Sequence, residues 1–264
     1  MFITSADYVS LDKQETLKTH FHEYFVLFCK NSSLIDGLYR HVMDIPSPSL
    51  NAVLGTVQAN ADDRIEQELS YFKQKELPFI WYVDEGTDAT FQAKLIEHGF
   101  QDIGIFRGVM GPLDQPISAS NLPNGWTIER VTTAEAMEEF NELISASFGI
   151  DDKSKHLFKQ KLWDQTQTNH SQIFLWLGRK EGVAVSALST FIEGPLVSFW
   201  TAASAPSIRR QGFCTAILKT ALKDAMSRGC TFGASYLAAP GLAFGICTQL
   251  GYEPKWEFHA YVSP

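Results

Sequence analysis

The segment 209–215, Arg-Arg-Gln-Gly-Phe-Cys-Thr, combines residue types that can bind a diphosphate. It follows an apolar run that ends near Pro206, and a helical pattern of small and apolar residues begins at Gly212. A helix N-terminus presents free backbone N–H groups and the positive end of the helix dipole, and a glycine lets a ligand approach the backbone closely. In an acidic chain, two arginines at such a point favour phosphate contact over an ordinary surface turn. The segment therefore predicts a phosphate-binding loop.

Other residue patterns that could do chemistry are weaker. Glu193, beside Gly194 and Pro195, is a candidate general base for an amine, although an exposed loop carboxylate is its ordinary role. Ser235 lies in Gly-Ala-Ser-Tyr-Leu, which lacks the second glycine of a nucleophile elbow, and there is no Walker loop. These patterns argue against a hydrolase or a nucleotidase.

The four cysteines form no Cys-x-x-Cys pair, and the doublet of His20 and His22 diverges on a helix. No metal site is therefore expected. The net charge of -8 argues against a nucleic-acid partner or an anionic membrane surface, which need clustered Lys and Arg. The sequence begins without a basic and apolar leader, and no apolar window reaches the ~20 residues of a membrane span. A cytoplasmic, soluble protein is expected, and its oligomeric state is left open.

The chain of 264 residues, 45% of them apolar, is long enough for two domains or one large one. In the first half, periodicity predicts helices over 13–30, 34–42, 62–75 and 89–97, the last ended by Gly99, and strands over 51–57, 79–83 and 103–110. Turn formers without any period fill 111–125 and predict a linker.

The second half has its own order of elements. Strands are predicted over 126–131, 172–178, 183–191, 196–203, 231–237 and 256–262, and helices over 133–147, 153–165, 212–228 and 241–250. Residues 95–100 and 247–252 each place a helix end and a glycine before a strand, which suggests a duplicated unit. The predicted domains are 1–115, without a phosphate loop, and 126–264, with 116–125 as the linker.

The phosphate loop and its surroundings resemble the Gcn5-related N-acetyltransferase family. Arg209, Gly212 and Cys214 occupy the marked positions of Arg/Gln-x-x-Gly-x-Gly/Ala, where Cys214 is larger than the usual residue, and Pro206 matches a preceding proline. The order of elements from 126 onward also matches. The segment 247–252 is similar to the family's Tyr-x-x-Leu-Gly-Phe, with Cys247 in the place of the tyrosine.

The resemblance implies an α+β fold of tandem domains, each a mixed, mostly antiparallel sheet flanked by helices, of which the first is a degenerate copy. It implies acetyl-CoA or another acyl-CoA as co-substrate, and a small-molecule or peptide amine as acceptor. The implied cofactor-binding residues are the loop and the end of the preceding strand: Thr201, Ala202, Ala203, Arg209, Arg210, Gln211, Gly212, Phe213, Cys214 and Thr215.

The resemblance does not assign the catalytic residues. In the family a tyrosine commonly protonates the departing thiolate, and Cys247 stands in its place; Tyr236, Tyr252 and Glu193 are the other candidates. Two classes of function remain open: an N-acyltransferase in which a neutral amine attacks the thioester directly, and a non-catalytic acyl-CoA-binding or interaction module on the same fold.

Overall fold

The computed structural model describes residues 12–29, 31–86, 89–114, 122–168, 170–238 and 242–264. Seven α-helices lie in this part of the chain: α1 (Lys13–Phe28), α2 (Ala61–Gln74), α3 (Ala89–Glu97), α4 (Ala134–Phe148), α5 (Asp152–Thr166), α6 (Phe213–Ser227) and α7 (Leu242–Gln249). The eleven strands of the described residues are β1 (Asn31–Ile35), β2 (Leu38–Val42), β3 (Asn51–Leu54), β4 (Ile80–Asp84), β5 (Gln101–Pro112), β6 (Trp126–Arg130), β7 (Ile173–Lys180), β8 (Val183–Glu193), β9 (Leu196–Ser204), β10 (Phe232–Ala238) and β11 (Glu253–Val262). None of the described helices is long and apolar enough to cross a membrane.

The chain divides into two compact units. The N-terminal unit comprises Lys13–Gly108, Leu237–Phe244 and Pro254–Pro264. The C-terminal unit comprises Val109–Tyr236, Gly245–Glu253 and, at the start of the chain, Asp12 among the described residues. Each unit therefore takes a piece of chain from the other half of the sequence.

The N-terminal unit is built on the strands β1-β2-β3-β4-β11-β5, in that order. β3 and β4 are parallel, whereas β1–β2, β2–β3 and β4–β11 are antiparallel. Side chains alternate between the two faces of a strand. On β4, Trp81 packs with Phe91 and Phe100 in the core beneath α2 and α3, while Tyr82 packs against Phe21 of α1.

The C-terminal unit contains the strands β10-β9-β8-β7-β6, in that order, and the end of β5 lies beside β10. β9 and β10 are parallel, and the pairs β8–β9, β7–β8 and β6–β7 are antiparallel. α4 and α6 both pack against β7, β8 and β9. Phe213 of α6 is fully buried where Gly178 of β7 leaves room for its ring.

Most predicted elements are confirmed within a few residues, but the helix predicted over 34–42 is wrong. This segment forms a hairpin in which Asn31 pairs with Val42 and Ile35 with Leu38. Its turn residues, Asp36 and Gly37, have φ of 51° and 85°. Positive φ at both central residues is the type I′ geometry that Asp-Gly favours, so the turn overrides the short helical period.

The last strand is the main difference from the predicted domains. β11 pairs antiparallel with β4, for example Tyr261 with Trp81, so Pro254–Pro264 belongs to the N-terminal unit and not to a domain 126–264. Sequence order cannot show this, because a helix, a glycine and a strand fit either sheet. The predicted linker 116–125 falls partly on 116–121, which lie outside the described residues.

Gly233 of β10 offers a test of the packing in the C-terminal unit. A Cβ at this position would lie 1.7 Å from the hydroxyl oxygen of Tyr252, and a Cβ at Gly111 would lie 2.7 Å from Cδ1 of the same ring. The tyrosine is therefore enclosed, and Gly233→Ala should lower the free energy of unfolding by about 1–3 kcal/mol. Gly245→Ala is the matched control: a Cβ there meets nothing within 4 Å, so chemical denaturation should show stability unchanged or higher by about 0.4–1 kcal/mol. Equal effects of the two substitutions would contradict this packing.

Candidate functional site

The residues 206–212 form a tight turn between β9 and α6, and 213–215 are the first turn of that helix. The short helix Pro206–Ile208 starts the tight turn, and the N–H of Gln211 donates to the carbonyl of Ile208 at 3.3 Å. Arg210 and Gly212 both have positive φ, 63° and 88°. Gly212 is the residue before the first turn of α6, and a Cβ there would meet nothing within 4 Å. The positive φ at position 212 therefore favours a glycine, and the space beside this residue is open.

The start of α6 leaves backbone donors unused. The first bond of the helix runs from the N–H of Ala216 to the carbonyl of Gly212, 3.0 Å. Among the described residues, the N–H groups of Phe213, Cys214 and Thr215 have no acceptor, and no side chain caps this end. The first turn also contains no acidic residue. Three N–H groups, the helix dipole and two exposed arginines make this end of α6 suited to an anion.

The side chains of the loop have different roles. The Nε of Arg209 donates to the carbonyl of Ser204 at 3.3 Å, and the Nε2 of Gln211 donates to the carbonyl of Ser207 at 3.0 Å. The ring of Phe213 is buried and stacks on Trp126, with centroids 3.5 Å apart. Phe213 can therefore contribute only its N–H to a ligand. Its side chain anchors the helix start against the sheet.

A gap opens between β9 and β10 next to this loop. The parallel pairing of the two strands runs from Leu196 with Phe232 to Phe199 with Ser235 and stops there. On its other edge, β9 stays paired with β8 as far as Ser204. The regular pairing of the two strands therefore ends before β9 reaches the loop 209–212, where the family resemblance predicts that the strands part.

Of the three residues of β9 that were predicted to contact the cofactor through their backbone, only one directs its backbone groups into this gap. The N–H of Thr201 donates to Ser189 Oγ at 3.1 Å, and the carbonyl of Ala203 accepts from Ser186 Oγ at 3.0 Å. Both groups thus face β8. Because successive residues of a strand direct their backbone groups to alternate edges, those of Ala202 face the gap. Thr201 and Ala203, which were also predicted, have backbone groups that are already bound within the sheet.

Cys247 and Tyr252 lie in the interior of the C-terminal unit. Both side chains are 3% exposed. Burial, and secondly the nearby Cys214, raise the pKa of the Cys247 thiol to about 12, while a hydrogen bond with Ser235 acts in the opposite direction. Burial, and secondly Cys247, holds the pKa of Tyr252 far above its usual range, and its hydroxyl has no hydrogen-bond partner among the described residues. Both groups are therefore neutral and packed at pH 7.

The other two catalytic candidates lie at different points along the gap. Tyr236 follows the last paired residue of β10, and its ring centroid is 5.1 Å from that of Trp200 on β9. Glu193 pairs with Leu196 at the far end of β9. Leu196 and Ser204 are the two ends of this nine-residue strand, which at about 3.3 Å a residue places them about 26 Å apart. The structure thus brings Tyr236 to the gap and leaves Glu193 at the opposite end of the strand from the loop.

Two contacts at the site were missed from the sequence. The first is the hydrogen bond from Arg209 Nε to the carbonyl of Ser204. The second joins the hydroxyls of Ser189 and Thr201, which lie 2.7 Å apart where the β8–β9 register shifts. The first could have been found from alternation along β9, because Ser204 faces the same edge as Ala202. The register shift between β8 and β9 has no corresponding pattern in the sequence.

The N-terminal unit has a helix start in the corresponding place, after its own parallel strand. α2 begins after Asn60, and its first turn contains Asp62 and Asp63. A hydrogen bond from Lys94, with another from His98, holds the pKa of Asp62 below its usual value. A negative first turn opposes phosphate binding. The two helix starts thus differ in charge, and the absence of a phosphate loop from the first unit stays a prediction.

No protein-family model matches the chain, and no curated protein matches it. Solved structures do. A GCN5-related N-acetyltransferase from Kribbella flavida aligns with a TM-score of 0.73 and 17% identity, covering 97% of each chain. A GCN5-related N-acetyltransferase from Sphaerobacter thermophilus aligns at 0.64 and 13% identity, covering 85% of this chain and 76% of that one. A tandem GNAT protein from the clavulanic acid biosynthesis pathway aligns at 0.57 and 11% identity, covering 85% and 77%.

These similarities define the fold. The chain has the α+β fold of Gcn5-related N-acetyltransferases, and the resemblance noted in the sequence is confirmed at this level. The mixed sheets of both units agree with a tandem arrangement of that fold.

The unpaired hydroxyl of Tyr252 gives a second stability test. A buried hydroxyl without a partner stabilises nothing, so Tyr252→Phe should leave the free energy of unfolding unchanged or raise it slightly. Tyr261→Phe is the matched control, because the Tyr261 hydroxyl is bonded to Gln92 Oε1 at 2.9 Å and its removal should cost about 1 kcal/mol. Thermal and urea unfolding would measure both. A larger loss in Tyr252→Phe than in Tyr261→Phe would show that the Tyr252 hydroxyl has a partner after all.

Proposed function

We propose that the chain is an acyl-CoA-dependent N-acyltransferase, most simply with acetyl-CoA, that acts on a small-molecule or peptide amine. The observation that carries the proposal is the set of unused N–H groups of Phe213, Cys214 and Thr215 at the mouth of the gap between β9 and β10. The shared fold supports it. Charge and dipole at this helix end fit a diphosphate, and the open strand edge fits a chain of amides.

Each group of the site then has a role. The N–H groups of α6 and the side chains of Arg209 and Arg210 bind the diphosphate, and the backbone of Ala202 pairs with an extended ligand as an added strand would. Acyl-CoA supplies the thioester whose acyl group is transferred. The protein holds the amine and the acyl donor together and moves two protons: one leaves the attacking amine, and one reaches the leaving sulfur as the C–S bond breaks.

Tyr236 is our candidate for the group that holds the second proton. It is half-buried at the point where β10 parts from β9, whereas Cys247 and Tyr252 are enclosed by packing. The general base stays unassigned, because Glu193 lies at the other end of β9. A proton donor must come within ~2.6 to 3.2 Å of the sulfur, and a strand-edge tyrosine can do so without rearranging a core.

Gly212→Asp tests the phosphate loop. A carboxylate at the start of α6 repels a diphosphate, so calorimetric titration of the full chain with CoA should show affinity at least about tenfold weaker. Gly229→Asp is the matched control, because Gly229 lies at the other end of α6 with φ of 94° and equally open space. It introduces the same strain and the same charge. Unchanged affinity in Gly212→Asp, with the fold intact by circular dichroism, would overturn the assignment.

Tyr236→Phe tests the proton donor. We expect kcat to fall by about 10²-fold, the usual value of general acid catalysis, with little change in CoA affinity. Cys247→Ala should leave kcat nearly unchanged, because its thiol is a packing group. Release of free thiol against a panel of amines would measure both. A large loss of activity in Cys247→Ala with CoA binding intact would show that the cysteine takes part in the reaction.

The second candidate function is a non-catalytic acyl-CoA-binding module. The burial of Cys247 favours it, since the position of the family's tyrosine is filled by a packed thiol. The two functions differ in one measurement: both bind CoA through Gly212, but only the enzyme releases thiol in the presence of an amine. Binding without release across primary amines, amino sugars and peptide N-termini would favour the module.

A further inference from the structure

A cavity of about 340 Å³ lies in the N-terminal unit, where its two parallel strands end. The loop 56–58 after β3 lines it, as do residues 84–86 at the end of β4. The first residue of α2, one side of α3 and the first turn of α1 complete the described wall, and all of these residues belong to the same unit. In open α/β sheets, ligands bind outside the carboxyl ends of parallel strands, and small-molecule sites typically measure ~300–1,000 Å³. The cavity has the position and the size of such a site.

The position of the cavity corresponds to that of the loop 209–212 in the C-terminal unit. Each lies where an inner parallel strand ends and the following helix begins. The first turn of α2 contains Asp62 and Asp63, however, and Asp84 and Glu85 line the cavity. Carboxylates at a helix start oppose phosphate binding. A ligand of this cavity therefore differs in chemistry from one held by the loop 209–212.

Charged side chains of the wall have partners of the opposite sign. Lys18 Nζ lies 2.6 Å from Asp84 Oδ2. Lys94 forms an ion pair with Asp62 at the start of α2, and His98 Nε2 lies 3.2 Å from the other carboxylate oxygen of Asp62. Asp84 and Lys94 are therefore compensated within the protein, and neither has to be neutralised by a ligand.

Glu85, the third charged side chain of the described lining, is a cross-strand neighbour of Glu257. Its N–H donates to the Glu257 carbonyl at 2.9 Å. The hydrogen bond between the two carboxyl groups raises the pKa of Glu85, because such a pair shares a proton more readily than it bears two negative charges. Arg107 pairs with Glu257. Since all three charged groups are engaged within the protein, charge does not select the ligand of this cavity.

Uncharged hydrogen-bonding groups form much of the remaining wall. They belong to Gln14, Thr56, Gln58 and Thr90. Amides and hydroxyls both donate and accept, and each can form more than one hydrogen bond, so a bond within the protein does not exhaust them. The apolar part of the wall consists of Val57, Ala61 and Phe91. A ligand that fits this wall carries several groups that donate and accept, on a body with an apolar face.

We propose that this cavity binds a neutral polyhydroxy ligand of the size of a monosaccharide. Its hydroxyl groups meet the amides and hydroxyls of the wall, and its C–H face lies on the apolar part. Hydroxyl groups donate and accept as amides do, and they carry no charge that would need a counterion. The inference goes beyond the proposed acyl transfer and does not depend on it, since every described lining residue belongs to the N-terminal unit.

Calorimetric titration of the full chain, without acyl-CoA, tests the proposal. The probes are glucose, galactose, mannose and myo-inositol. The control compound is tetrahydropyran-2-methanol, which keeps the sugar ring and its hydroxymethyl group but lacks the ring hydroxyls. We expect at least one probe to bind about tenfold or more tightly than the control compound, because several hydrogen bonds depend on the ring hydroxyls. If none of the probes does so, the proposal is wrong.

Two variants locate the bound probe. Thr56→Val removes a hydroxyl at nearly constant volume, and Gln58→Ala removes an amide from an exposed position, so neither should disturb the core. Each should weaken binding by about threefold to tenfold, the usual value of one hydrogen bond. Gln74→Ala is the matched control and should change nothing, because this exposed residue at the end of α2 is not part of the described lining. Unchanged affinity in both Thr56→Val and Gln58→Ala, or an equal loss in Gln74→Ala, would show that the probe binds elsewhere and would rule out this cavity as its site.

Discussion

The candidate transfer site depends on one constraint, the early end of the parallel pairing between β9 and β10. Beyond Phe199 and Ser235 the two strands part. On the β8 side the register shifts between Leu188 and Thr190, and the Thr201 N–H bonds to the Ser189 side chain. Such an irregularity bends a strand locally and increases its twist. The parallel pairing ends next to this irregularity, and the last residues of β9, which lead to the start of α6, are not in register with β10.

From β1 and from β7 onward the chain runs through the same order of elements, namely three strands, a helix, a strand, a helix and a strand, but the two runs differ at the helix that follows the inner parallel strand. In the C-terminal unit this helix begins with Phe213, Cys214 and Thr215, and no carboxylate lies in its first turn. In the N-terminal unit it begins with an acidic turn whose Asp62 is already paired with Lys94 and His98. Because the dipole is the same at both helix starts, the side chains of the first turn decide which one suits a phosphate.

The sequence predicted most elements, since hydrophobic period and caps are local signals. Its strand–turn–helix order at 196–228 was also confirmed, whereas phosphate binding by the loop stays a prediction. The helix predicted over 34–42 failed because the Asp36-Gly37 turn was overlooked, although Asp-Gly is among the strongest local hairpin signals. The position of β11 beside β4 has no local signal, because strand partners are chosen by the whole sheet. The sequence does not show which of Thr201, Ala202 and Ala203 directs its backbone groups away from β8. The hydrogen bonds of Thr201 and Ala203 to β8 decide this, and the order of side chains along the strand does not predict them.

Packing also limits where proton transfer can occur. Cys247 and Tyr252 share a dry interior in which desolvation raises both pKa values, and Gly111 and Gly233 admit the tyrosine ring only because they lack a Cβ. A group packed this tightly can approach a ligand only if its neighbours move. Tyr236 and Trp200 are subject to no such limit, because they flank the gap itself. If the fold performs acyl transfer in this chain, these constraints favour a proton donor at the edge of the gap over the buried thiol of Cys247.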